Sequence, residues 1–522
     1  MRSLPLLCVV MISLVAAVDG HAQDKAKPAT RITWKKTVLD TKFRSEGVAV
    51  ADVDKDGKKD ILIGDLWYSA PDWKSHVIRK NRVFDPANYS QTMCVFADDI
   101  DGDGWVDQIV VGFPGDPCHW YKNPGKSGGP WKEYLIQDSA CNESPQYVDL
   151  FGSGKRGLLC AHKGEMCFFQ PSTDPTQPWN RLSISGPGKN IAGTQVFSHG
   201  LGAQDLSGDG KLDVLCNEGW WEQPAKNATQ GKWAFHPYRI PLSSDIYALD
   251  VDGDGKIDLV SSSAHETGFW WHQQKAGKDG QPTFVTRNLF PRPVDVAKKP
   301  VDAKLEPDET QMLAALAKAR ADQKHVPWRS NAWLISDARS KDSSARRHYP
   351  GKIVAEFRAD LAAKSVAEIA QEFLAKFPKL RDTYLEVGAG ANGKQMTILV
   401  GDRGGFALPG EMHALVYVDI DGDGLKDFVT GRRHWSHHLR GDDFPADPAY
   451  LYWFKASKDK SGATKFTPML IDDDSGVGTQ FTVEDVDGDG LLDVVVANKK
   501  GVFLFLQVRE EIVEPGPGRP KD

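Results

Sequence analysis

The sequence predicts an all-β fold, a closed ring of seven four-stranded units, and three recurring patterns predict it. The first is an acidic loop followed at once by an apolar run. It occurs as DVDKDGKKDILIG from Asp52, DIDGDGWVDQIVVG from Asp99, DLFGSGKRGLLC from Asp149 and DLSGDGKLDVLC from Asp205. It returns as DVDGDGKIDLV from Asp250, DIDGDGLKDFVTG from Asp419 and DVDGDGLLDVVV from Asp485. The second is a segment with an aromatic start and an apolar end ahead of each loop, at Trp34, Trp73, Trp131, Trp179, Trp233, Phe284 and Phe466. The third is an aromatic run after each loop, such as LWY at Leu66, HWY at His119 and YWF at Tyr452. Short apolar and aromatic runs bounded by Gly, Asp and Pro read as strands.

Each unit is therefore an inner strand A, the acidic loop, strand B, an aromatic strand C and an outer strand D. The spacing matches one propeller blade. The described pattern opens with a D segment at Trp34 and closes with a C segment near Leu506, so the N-terminal strand completes the last blade and leaves no open edge. The expectation is a seven-bladed β-propeller.

Two spacings are long. The 169 residues from Asp250 to Asp419 and the 66 from Asp419 to Asp485 mark insertions. The first, residues 291–411, differs in composition. Pro307 with early acidic residues and the Ser365/Glu368 capping-box spacing predict helices, and TYLEVGAGANGKQMTILVG predicts a hairpin turning at Asn392-Gly393. The predicted organisation is a signal peptide over 1–22, blades 1–5 with the closing strand over 31–290, an α+β subdomain over 291–411, blades 6–7 over 412–507 and a disordered tail over 508–522.

The signal peptide rests on Arg2, the apolar run Leu4–Val18 and small residues ending at Ala22. It implies export, and no other stretch is long and apolar enough to span a bilayer. Six cysteines remain in the mature chain, too few for a disulfide scaffold. Cys160 and Cys167 flank a hairpin, and pairing across it and burial as free thiols are equally open.

The loop pattern D-x-D-x-D-G-x-x-D presents alternate oxygens around one point, which suits a hard cation such as Ca²⁺. Position twelve is apolar (Ile63, Val110), so the loops are not EF-hands. The expected ligand sets are Asp52, Asp54, Asp56 and Asp60, then Asp99, Asp101, Asp103 and Asp107, then Asp205, Ser207, Asp209 and Asp213. They continue as Asp250, Asp252, Asp254 and Asp258, Asp419, Asp421, Asp423 and Asp427, and Asp485, Asp487, Asp489 and Asp493. Phe151, Ser153 and Gly157 remove three carboxylates from the third loop, where no ion is expected. About six calcium ions would add twelve charges to a formal net charge of −7, giving +5, so the acidic balance does not point to a basic partner.

These repeats resemble the FG-GAP/VCBS family of calcium-binding β-propellers, a repeat type also found in integrin α-chain heads. The resemblance covers residues 31 to 290 and 412 to 507. It is specific for fold and weak for function, since one fold hosts many activities.

Blade parity places the acidic A–B turns on one face. Both insertions leave from the other, the first as a D–A connection and the second, GRRHWSHHLRGDDFPADPAY from Gly431, as a B–C connection. Long loops on a rigid scaffold concentrate function. The same metal-free face collects six of the fourteen histidines, at 199, 265, 413, 434, 437 and 438. Candidate ligand-binding residues are Glu218, Trp220, His265, Glu266, His413, Arg432, Arg433 and His434, with His265, His434 and Arg432 as catalytic candidates.

The expected function is an exported, monomeric calcium-binding propeller that takes a carbohydrate or protein ligand on the face opposite the calcium loops. The chain has no phosphate-binding loop, no nucleophile elbow and no nucleic-acid stripe. The pattern SHG…GWWE…SSAHE…WWH…MHALVYVDIDGDG…GRRHW is similar to propellers of the aldos-2-ulose dehydratase type. That resemblance implies the alternative of a sugar lyase or dehydratase, with His265 or His434 as base and Arg432 or an ion holding developing charge. A structural or adhesive module is the second alternative.

Overall fold

The structure, a computed structural model, describes residues 30–265, 268–277, 281–290, 334–335, 353–360, 384–389, 395–401, 410–434 and 449–511. Seven four-stranded antiparallel sheets repeat the order A-B-C-D. Blade 1 is built from Ala49–Ala51, Asp60–Leu62, Leu66–Ser69 and Lys74–Val77, and blade 2 from Cys94–Asp98, Asp107–Val111, Cys118–Lys122 and Lys132–Gln137. The A strands of blades 3, 4 and 5 are Cys141–Val148, Gly202–Gln204 and Ser243–Leu249, and those of blades 6 and 7 are Leu415–Val418 and Thr482–Glu484. In blade 7 the strand Gly501–Glu511 has Asp493–Asn498 on one side and Thr30–Asp40 on the other. The ring closes with the N-terminal strand, as the repeat order predicts. Trp34–Val508 forms one compact unit.

The apolar core lies between neighbouring blades, and this explains the aromatic start of the D segments. Trp131, Trp179 and Trp233 are buried, and each donates its backbone N–H to the carbonyl ending the previous blade's D segment: Ile78, Ile136 and Ile184. Each blade is thus tied to the one before it by a large side chain and a backbone bond. Deleting such a buried ring costs about 3–5 kcal/mol.

All six described cysteines are buried free thiols; Cys160 and Cys167 face each other across strands B and C of blade 3 without a bond. Burial raises the pKa of both thiols, so they behave as small core hydrophobes.

Within the insertion the described residues form one sheet. Tyr384–Ala389 and Gln395–Gly401 pair antiparallel as the predicted hairpin, with Ile353–Asp360 and Leu334–Ile335 at its edges. The turn at Asn392-Gly393, both predicted helices, the signal segment and the tail beyond 511 lie outside the described residues. Among the described residues no helix is long and apolar enough to cross a membrane.

Candidate functional site

The acidic loops occupy the A–B turns, and the segments leading into the A strands converge at the opposite end of the channel. Backbone bonds join them there. Glu143 donates its N–H to the Ser198 carbonyl (2.8 Å), and Gly200 donates to that of Ser244 (2.8 Å). His413 and Arg433 both donate their backbone N–H to the Glu411 carbonyl at 2.9 Å. Glu411 is fully buried and holds φ +54°, a conformation that a non-glycine residue keeps only where the surroundings impose it.

This scaffold brings three donor atoms together. His199 Nε2 lies 3.1 Å from His413 Nε2, and Glu143 Oε2 lies 3.3 Å from the first and 3.2 Å from the second. The edges of a tetrahedral site with bonds of about 2.0–2.1 Å measure about 3.3 Å, so the triangle has the dimensions of a two-histidine, one-carboxylate metal face. Burial, then the nearby Arg433 charge, lowers the pKa of His413 far below that of a free imidazole and keeps it neutral, the form a metal requires. Burial opposes ionisation of Glu143, but the hydrogen bonds from His199 and His413 outweigh it and keep the carboxylate charged. The His265 ring stands edge-to-face with His199, centroids 4.5 Å apart, and is partly buried.

Behind Glu143 sits Arg433, almost wholly buried. Its guanidinium reaches Glu46 Oε1 at 2.5 Å and Glu143 Oε2 at 3.6 Å. Glu46 Oε2 in turn accepts from the Ser90 backbone N–H and hydroxyl, each at 3.1 Å. Two residues beyond His413, Leu415 donates its N–H to Asp245 (3.0 Å), a carboxyl that burial pushes up to about 7.

Of the sequence candidates, His199, His265, His413 and Arg433 meet here. Arg432 is fully buried, with its backbone N–H on the Tyr450 carbonyl. Trp220 is core, stacked on His236 at 4.5 Å. Glu218 is exposed and caps the Gly193 N–H at 3.0 Å. His434 is half-buried beside Arg433 in sequence; Glu266, His437 and His438 lie outside the described residues. Glu46 and Glu143 were not singled out from sequence. Their signal was positional, since SEG at Ser45 precedes its A strand as SHG at Ser198 does, and CNE at Cys141 carries Glu143 at the head of its own.

On the other face the loops repeat one geometry. The glycine at the sixth position has positive φ and donates to the first aspartate: Gly57 to Asp52 at 3.0 Å, Gly104 to Asp99 at 2.8 Å, Gly490 to Asp485 at 3.0 Å. The ninth-position aspartate has a role that the ligand pattern concealed. Asp107 accepts from the Ile100 N–H (3.1 Å) and the Asn123 N–H (2.8 Å), clamping the loop to the end of strand C. Asp60, Asp213, Asp258, Asp427 and Asp493 repeat this double clamp. Burial raises the pKa of these groups, Asp107 to about 7 and Asp60 to about 6. Carboxylate oxygens of Asp52, Asp54 and Asp60 still lie within 4.8 Å of one another, as do those of Asp99, Asp101 and Asp107, of Asp250, Asp252 and Asp254, and of Asp419, Asp421 and Asp427, a spacing that fits a divalent cation. In the third loop Phe151 instead packs edge-on against Phe168 and Trp233.

Neither a family model nor a curated relative matches the chain. Among solved structures it is similar to the V. cholerae biofilm matrix protein Bap1, at 11% identity and TM-score 0.37, over 93% of this chain and 91% of that one. Rhamnogalacturonan lyase YesW aligns at 12% identity and TM-score 0.36, over 92% and 74% of the two chains. Drosophila Semaphorin 1a, extracellular domains 1–2, aligns at 9% identity and TM-score 0.32, over 92% and 88%. These likenesses carry no argument about function.

Proposed function

We propose that this is an exported, calcium-stabilised propeller that binds a sugar on the face opposite the acidic loops and eliminates water from it. The observation that carries the reading is the buried Glu143–His199–His413 triangle, with the partly buried His265 ring beside it. Those three residues would hold a divalent ion, which would supply positive charge opposite an oxygen that becomes negative during reaction. His265 accepts the proton from the carbon next to a carbonyl, the carbon–carbon double bond forms, and the β-carbon–oxygen bond breaks. The departing hydroxide takes that proton back from His265 and leaves as water. Arg433, paired with Glu46, lies 3.6 Å from Glu143 and braces it. A carbohydrate fits the face because Tyr89, Phe113 and Phe197 form an aromatic row there, with ring centroids 5.3 and 5.6 Å apart and Phe197 56% exposed. Phe197 immediately precedes Ser198, whose carbonyl holds Glu143. Aromatic faces of this kind stack on the apolar side of a sugar ring. On the opposite face the acidic loops take calcium and brace the A–B turns.

The test is turnover of 1,5-anhydrofructose and 3-keto glycosides by the full chain supplied with Mn²⁺ or Zn²⁺, followed by enone absorbance. Glu143→Gln and His265→Ala should each lower the rate about 100-fold or more. Absence of enone from every substrate, or parental rates in both variants, rejects the reading.

A further inference from the structure

The uniform B–C register allows one position to be compared around the ring. Facing the ninth loop position across strands B and C are Ser69, Lys122, Glu222, Gln273, Lys455 and Leu506 in the six acidic blades. In blades 2 and 6 that residue is a lysine, and its ammonium lies on the loop. Lys122 Nζ donates to Asp101 and, at 2.8 Å, to Asp103. Lys455 Nζ donates to Asp421 and, at 2.9 Å, to Asp423. The same two loop positions are engaged in both blades.

The four other acidic loops receive no cation from this position. Ser69 turns to His76 Nε2 (3.0 Å), Glu222 pairs with His236 (2.8 Å), and Leu506 is apolar. Gln273 brings a neutral amide to Asp252. Lys58 and Lys256 sit inside their own loops and touch only the third carboxylate, Asp56 at 3.2 Å and Asp254 at 2.6 Å. Lys211 touches Asp209 in the same way. A strand-C ammonium differs from these: it stands between the second and third carboxylates, the second of which belongs to the group of oxygens able to hold an ion. A divalent cation there would meet a like charge and lose those oxygens.

We propose that the six acidic loops are of two kinds: in blades 2 and 6 the chain supplies its own cation, and divalent ions are taken by the loops of blades 1, 4, 5 and 7. This rests on the reading of the loops as calcium sites. Lys122 and Lys455 are internal counter-ions that keep two blades braced whatever the calcium supply, and the other four answer to it.

The experiment counts bound calcium by mass spectrometry on the full chain after equilibration in buffered micromolar Ca²⁺. The parent should carry four ions, Lys122→Met and Lys455→Met five each, and the double variant six. Methionine keeps the length and most of the volume of lysine, and both lysines are about one-third exposed, so folding is preserved. As a second measurement, Asp101→Asn should leave the count at four and Asp487→Asn should lower it to three. Six ions in the parent, unchanged in the lysine variants, overturn the proposal and leave the calcium reading standing. Counts near zero in every protein overturn both.

Discussion

His199 and His413 are separated by 214 residues of chain, yet their Nε2 atoms stand 3.1 Å apart. Two imidazole nitrogens pointed at each other and at one carboxylate gain little from mutual hydrogen bonding, because only some of the three can donate at once. A metal ion satisfies all three. Cobalt(II) added to chelator-treated protein should therefore give a visible absorption band from a centre of low coordination number. Glu143→Gln and His199→Ala should weaken that binding at least tenfold. An identical band in the variants would place the ion elsewhere.

Arg433 and Glu46 form a buried pair that also holds Glu143. Arg433→Met should cost about 3–5 kcal/mol, because it leaves two buried carboxylates without a counter-charge. Glu46→Gln combined with Arg433→Met should recover part of that loss. Additive costs in a denaturation cycle would show that the two residues are not coupled.

The ninth-position clamp separates architecture from ion binding. Asp107→Ala should cost about 2–4 kcal/mol even in chelator, since it orphans two buried N–H groups. Asp54 is exposed, and Asp54→Asn should matter only in calcium. Equal behaviour of the two variants with and without chelator contradicts this division.

His272 is buried between strands of blade 5, its Nε2 on Ser261 Oγ (2.8 Å) and its Nδ1 on Thr286 Oγ1 (2.9 Å). Burial pushes its pKa down to about 3. The unfolded chain takes up this proton near pH 6.5 and the folded chain does not, so the neutral group's contribution is intact above pH 6.5 and is lost as pH falls toward 3. At pH 4.5 the loss is about 2–3 kcal/mol. Thermal melts of His272→Gln should show a flatter decline between pH 6.5 and 4.5 than the parent; parallel declines would assign the acid sensitivity to other groups.

The closing strand is testable by truncation. Lys36 bonds to Asp472 of blade 6 at 2.7 Å and lies over Phe503 at 4.9 Å. Removing residues 34–40 should destabilise the ring and expose the edge of Gly501–Glu511 to self-association. A truncated chain that stays monomeric with the parental melting temperature would contradict that role.

The blade count, the strand order and the faces were legible because a strand pattern and its turn are local, and seven copies repeat them. The histidines at 199, 265 and 413 were legible as a group by turn parity. Glu143 was hidden in CNESPQYVDL, where nothing local marks it as different from other strand-leading polar residues. Arg432 and Arg433 adjoin in sequence and are both buried, and nothing local marks Arg433 as the one whose guanidinium reaches Glu46 and Glu143. Trp220, a ligand-binding candidate from sequence, is interblade core, because exposure depends on the neighbouring blade.

By itself the sequence determined the propeller, its closure, the acidic loops and the face that gathers the histidines, since all follow from periodicity and short-range turn chemistry. Only the tertiary structure decided which side chains meet. The Glu143–His199–His413 triangle draws on blades 3, 4 and 6, the clamp role of Asp107 needs strand C, and the lysine on Asp101 arrives from twenty-one residues away. Distances between such residues are set by ring closure and interblade packing, which no local pattern encodes.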